Sequence, residues 1–338
     1  MDNSSENWEE IPAMPHVDGE LNRIRKDMRR RSTKIVLTSL LLAAVLTAAF
    51  VCLIIPAAEK LYWDPEENTH HLEWSDDLDL TMSACAELFS PSQIVNNVIS
   101  ERTGFATYSL SVQLWENFGL SDTNFRTATL ERGKLEFPYG FWEPLSINAF
   151  ERASYPVYSM EERSKQNTYE TLSKLPDYIR VRAAVSFPTD LDMEQLLEFR
   201  DSLDDGYVEW VGIRNAPPDR QCLPLCGMKP FSGGLVRDEV NEYYPSFWVT
   251  EDSAENLETH FKSLLQYSQD QREAGRGIDV GVNFYDSYYQ GVLDYVEEAG
   301  VYTYGCYVMG PAELFLELLD SGTASQVWVE SAWIDIDI

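Results

Sequence analysis

The hydrophobic pattern divides the chain at one place. Ile35 to Ile55 is a run of 21 residues without a charge. At a rise of about 1.5 Å per residue such a helix spans roughly 30 Å, the thickness of a bilayer's hydrocarbon core. Arg29-Arg30-Arg31 and Lys34 precede the run, and Pro56-Ala-Ala-Glu-Lys60 follows it. Cationic flanks stay in the cytoplasm, so this asymmetry predicts a single-pass cell-membrane protein with residues 1–34 inside and everything after Pro56 outside. The run exceeds the roughly 7–15 residues of a secretory h-region, which favours an uncleaved anchor over a signal peptide. Within the inner segment, Leu21, Ile24 and Met28 recur at i, i+3 and i+7. They predict one apolar stripe on a helix over 19–32, capped by Asp18 and continuing into the membrane helix. That stripe either docks on a partner or lies on the lipid bilayer's headgroups.

Outside the membrane, 56–77 is acidic and turn-rich and reads as a linker. Ile94, Val95, Val98 and Ile99 have helical spacing, predicting a helix over 92–100. Tyr108, Leu110, Val112 and Leu114 then alternate as a half-buried strand does, with shorter strands at 127–131 and 135–138. These belong to a first outer segment, 78–160. In the second, 161–338, the pattern becomes strand–helix–strand. A strand over 180–187 precedes a helix with capping-box spacing at Asp192 and Gln195, and a strand over 208–213 follows. After a long Pro- and Gly-rich connection over 214–247, a helix is expected at 254–268 and a strand at 278–284. A helix over 287–299 stopped by Gly300, a strand over 301–308, a helix from Pro311 to Gly322 and a last strand over 326–333 complete the chain. This order implies an α+β (or α/β) fold, with strand–helix–strand units that suit ferredoxin-like packing.

Charge narrows the function. Residues 1–34 carry seven basic and seven acidic residues, so the net charge of −30 belongs to the outer part. Such a surface repels nucleic acid, and no direct nucleic-acid binding is expected. Four of the five cysteines lie outside, and Cys222-Leu-Pro-Leu-Cys226 can close a small loop as a disulfide or remain two buried thiols. No second pair stands at zinc-ligand spacing. His70-His71 in the acidic linker reads as solvated. Asp201-Ser-Leu-Asp-Asp205 has Leu203 and Gly212 where a calcium loop needs oxygen ligands, so it reads as a helix exit. His260 reads as a residue at the edge of the core. No acid, base and nucleophile converge in spacing, so neither a catalytic residue, a metal nor a cofactor is expected.

Several landmarks resemble the bacterial sigma factor regulator family, whose members look like membrane-anchored anti-sigma factors. They are Leu172-Ser-Lys-Leu-Pro176, Val181-Arg-Ala-Ala-Val-Ser-Phe187, Val208-Glu-Trp-Val-Gly212, Tyr295-Val-Glu-Glu-Ala-Gly300 and Gly305-Cys-Tyr-Val-Met-Gly-Pro311. A weaker match runs through Tyr62-Trp-Asp-Pro65, Leu78-Asp-Leu80, Glu87-Leu-Phe89 and Thr103-Gly-Phe-Ala-Thr-Tyr108. The resemblance covers most of 60–338 and identifies 161–338 as similar to that family's C-terminal domain. It implies signal transduction: an outer domain that senses envelope conditions and an inner segment that restrains an extracytoplasmic-function sigma factor, alone or with a membrane co-regulator. The inner segment is short, however, and carries no His-x3-Cys-x2-Cys zinc motif. Its partner-binding candidates are Trp8, Ile11, Leu21, Ile24 and Met28, since aromatic and large apolar side chains dominate binding energy. The alternative is a surface-anchored extracytoplasmic binding module with no sigma-factor output.

Overall fold

The computed structural model describes residues 15–66, 77–116, 123–138, 149–153, 162–222, 224–231, 242–249, 251–271 and 287–334. The chain forms two compact units, 1–61 and 62–338.

Among its described residues, the first unit is helical from Pro15 to Glu59. α1 spans Pro15–Ala49, followed by a π-turn over Phe50–Ile54 and a short α2 over Ile55–Glu59. Helix already runs through Asp18, so its backbone does not stand at an N-cap. At the far end Pro56 cannot donate to the carbonyl four residues earlier, and the π-turn absorbs that break without ending the helix. From Gly19 to Glu59 the helix is long and apolar enough to cross a membrane once, or to serve as a signal sequence.

The second unit is a mixed α+β structure of two antiparallel sheets with helices. Sheet A is the meander β1 (Gln93–Gly104), β2 (Thr107–Glu116), β3 (Thr123–Glu131) and β4 (Lys134–Glu136). The helix expected over 92–100 is therefore a strand. The pairing slips between Val95 and Asn97, so the extra residue Asn96 places Val95 and Val98 on the same buried face. A bulge of this kind counterfeits the i, i+3 spacing of a helix. The helix of this region is α3, Asp77–Phe89, and nearly all of its residues are buried. With no polar face it shows no amphipathic period, which hides it from pattern reading. Asp77 and Asp79 occupy its first turn, where the helix dipole favours negative charge.

Sheet B contains β5 (Ile179–Leu191), β6 (Tyr207–Ile213), β7 (Cys226–Met228), β8 (Thr303–Pro311) and β9 (Gln326–Ile334), ordered β7-β6-β8-β5-β9, with every neighbouring pair antiparallel. The helices are α4 (Glu162–Leu172), α5 (Met193–Asp201), α6 (Ala254–Asp270), α7 (Tyr288–Ala299) and α8 (Ala312–Asp320). The Asp192–Gln195 capping box forms reciprocally, with both side-chain bonds in place. Gly300 ends α7 at φ 91°, a conformation that suits only glycine well. Pro311 is the N-cap of α8, one place before the first-turn position its sequence suggests. The strand expected at 278–284 lies outside the described residues.

One apolar core joins both halves of this unit. α3 and the inner face of sheet A (Leu110, Val112, Leu114, Leu130) share it with Val181, Val185, Leu196, Phe261 and Phe315. A second, aromatic cluster sits on the other face of sheet B, where Phe150 meets Trp210, Tyr304 and Tyr307. Gly305 allows this approach: a Cβ there would run into the Val185 carbonyl and stand 2.8 Å from the Phe150 ring.

Candidate functional site

The three described residues of the apolar stripe lie on α1 with their side chains in the open: Leu21 is 52% exposed, Ile24 55% and Met28 66%. Trp8 and Ile11 lie outside the described residues. Helix continuity places the stripe. Met28 precedes Ile35 by seven residues and Leu21 by fourteen, so on a straight helix they stand about 10 and 21 Å beyond the end of the apolar run. A headgroup layer is only about 5–8 Å deep. Both distances exceed that depth.

The second unit holds a chain of buried charges that sequence patterning did not reveal. At its centre is Glu87, near the end of α3. Its backbone carbonyl accepts from Trp210 Nε1 at 2.7 Å, and its carboxylate accepts from the Lys229 backbone N–H at 3.0 Å. The same oxygen stands 2.9 Å from His260 Nε2, while His260 Nδ1 faces the Ser246 carbonyl at 2.9 Å. His260 is thus a fully buried tie between α6 and α3, more deeply placed than the core-edge position expected of it. Burial works against ionisation of Glu87, but His260 and Lys229 outweigh it and hold the carboxyl below its ordinary range. Lys229 is also buried, which lowers its amine's affinity for a proton despite Glu87 and Glu209 nearby. Its Nζ donates to the Gln93 carbonyl at 3.2 Å.

From Lys229 the chain passes into sheet B. Arg182, 1% exposed on β5, donates to Glu209, 0% exposed on β6, at 2.5 Å. Arg182 also pairs with Glu330 of β9 and stacks over the Tyr307 ring at 4.3 Å. At the opposite end of these strands, Arg214 grips Asp190 with two nitrogens, and Arg152 adds a third bond at 2.9 Å. Burial raises the Asp190 carboxyl, but these two arginines reverse that and lower it. One signal for these groups did stand in the sequence: Arg182 and Glu209 are charges inside otherwise apolar strands. What each would pair with was not readable there.

Cys222 and Cys226 are both buried, unlinked thiols. Arg214 Nη1 stands 3.7 Å from Cys222 Sγ, and Asn215 Nδ2 stands 3.4 Å from Cys226 Sγ. Burial raises the Cys222 thiol and pushes Cys226 up to about 12, so both are held as neutral thiols near pH 7. His, Cys, Asp and Glu nowhere gather in threes able to hold a metal ion among the described residues. In the network each charged group has an opposite charge near it, and the pairs join separate elements.

No protein-family model matches this chain, and no curated protein or solved structure matches it either.

Proposed function

We propose that this protein is a single-pass, membrane-anchored regulator of the anti-sigma-factor kind. Its α+β unit lies outside the cell, and its inner helix restrains an extracytoplasmic-function sigma factor, directly or with a membrane co-regulator. The observation that carries this reading is the rod of α1. It carries Leu21, Ile24 and Met28 exposed on one stripe and, by its rise per residue, about 10–21 Å from the apolar run, a distance at which a cytoplasmic partner can cover them. The basic cluster Arg29-Arg30-Arg31 supports the orientation, since it flanks the apolar run on its N-terminal side. The strand order of sheet B supports the packing expected of its strand–helix–strand units. Without β7, the order β6-β8-β5-β9 and the units β5–α5–β6 and β8–α8–β9 make a ferredoxin-like fold, with α6 and α7 inserted at its middle connection.

The test is sigma-dependent transcription in cells making each variant at equal membrane abundance. Ile24→Asp puts a charge into the apolar contact at a cost of about 2–4 kcal/mol, which weakens binding roughly 30- to 1000-fold and derepresses transcription. Arg30→Gln leaves the stripe intact and has the smaller effect. No response to either variant, or to deletion of residues 2–28, would overturn the proposal in favour of a surface-anchored binding module without transcriptional output.

A further inference from the structure

Two hairpin turns of sheet A lie side by side. The β1–β2 turn passes through Phe105 and Ala106, the β3–β4 turn through Arg132 and Gly133, and the Arg132 N–H donates to the Ala106 carbonyl at 2.7 Å. Ala106, Arg132 and Gly133 all have positive φ, as tight hairpin turns require. Residues 62 and 63, the first of this unit, sit on both turns. The Tyr62 ring meets Phe105 edge-on at 5.9 Å, and Gly133 abuts the Trp63 backbone so closely that a Cβ there would stand 3.4 Å from its nitrogen. Phe105 is 37% exposed, and Arg102, Arg132 and Lys134 around it are exposed as well. The carboxylates nearby are those of Glu101 and Glu131 one step up the strands, Glu136 paired with Lys134 at 2.9 Å, and Asp64 and Glu66, which accept from Tyr108 and Ser100.

Two aromatic rings, Tyr62 and Phe105, and three cations therefore gather where the chain enters a strongly acidic unit. Tyr62 follows Ile55 by seven residues, of which Ile55–Glu59 are helical. The intervening chain then reaches only about 15 Å, against a headgroup layer of about 5–8 Å. Rings with an apolar body, bordered by cations, are the side chains that partition to the phospholipid interface. We propose that the paired hairpin tips of sheet A, through Tyr62, Phe105, Arg102 and Arg132, dock on the phospholipid headgroups of the outer leaflet. This inference rests on the reading of Ile35–Ile55 as a membrane anchor. It assigns sheet A a lipid contact that fixes how the outer unit meets the bilayer.

The experiment uses the full-length chain in phosphatidylcholine–phosphatidylglycerol vesicles. Cys52→Ala leaves only buried thiols among the natural ones, and one new cysteine at a time, Val45→Cys, Thr103→Cys or Phe125→Cys, carries a polarity-sensitive fluorophore. Position 45 reports membrane insertion, 103 reports the tips, and 125 lies six residues along β3 from Glu131, about 20 Å away. Docking predicts that a lipid-borne quencher extinguishes the labels at 45 and 103 but not at 125. In the Thr103→Cys background, Phe105→Asp or the pair Arg102→Gln and Arg132→Gln should abolish quenching at 103 while leaving far-UV circular dichroism unchanged. Quenching at 45 with none at 103 overturns the docking and leaves the anchor standing. No quenching at 45 overturns both.

Discussion

Glu209 is shared by two buried cations, and this makes an unequal prediction for the two ends of its ion pair. Arg182 contacts it at 2.5 Å and Lys229 lies within its field, while Arg182 and Lys229 repel one another. Glu209→Gln preserves shape but leaves both cations short of a counter-charge. Removing one partner of a buried pair typically costs about 3–5 kcal/mol, and the surviving contacts of Arg182 with Glu330 and Tyr307 place this variant near 3. Arg182→Met removes the guanidinium but leaves Glu209 opposite Lys229 and relieves the cation–cation repulsion, so its cost should be only about 1–2 kcal/mol. For a unit of this size the first change lowers the melting temperature by about 6–12 °C. The assay is thermal and urea unfolding of residues 62–338 followed by tryptophan fluorescence, with the double variant completing the cycle. The double variant should recover part of the Glu209→Gln loss, because it no longer buries an uncompensated arginine. An Arg182→Met cost equal to or above that of Glu209→Gln would refute the shared counter-ion.

Acid should weaken the same network. The carboxyls of Glu87 and Asp190 sit below their ordinary values of 4.5 and 3.8, so the stability they contribute is present above those values and is lost as pH falls toward the lower folded ones. Urea midpoints should therefore hold level from about pH 7 to 5 and fall below about 4.5, with a shallower fall in Glu87→Gln; an unchanged acid limb in that variant would count against the assignment. Gly305→Ala forces a methyl against the Val185 carbonyl and the Phe150 ring, and should cost about 1–3 kcal/mol by thermal melting; an unaltered midpoint would mean the strands can part freely. Asp192→Ala removes the cap of α5 and should cost about 1 kcal/mol, while Asp192→Asn should stay close to the parent.

The sequence by itself determined features whose cause is local. The uncharged run Ile35–Ile55, the Asp192–Gln195 capping box, the stop at Gly300 and the alternation of Tyr108 to Leu114 each depend on neighbours a few residues away. Their physics is therefore legible in a short window, as is the apolar stripe Leu21-Ile24-Met28. What the tertiary structure alone decided is how distant residues meet. The bulge at Asn96 exists because β1 must register with β2, and it turned a strand into an apparent helix. α3 was hidden because both sheet A and α6 bury it, which removes the polar face that marks a helix. Glu87 finds Lys229 and His260 more than 140 residues away, and Arg182 finds Glu209 across β8. Burying a charge is tolerable only where folding supplies its partner, so periodicity can show that Arg182 lies within an apolar strand but not what neutralises it.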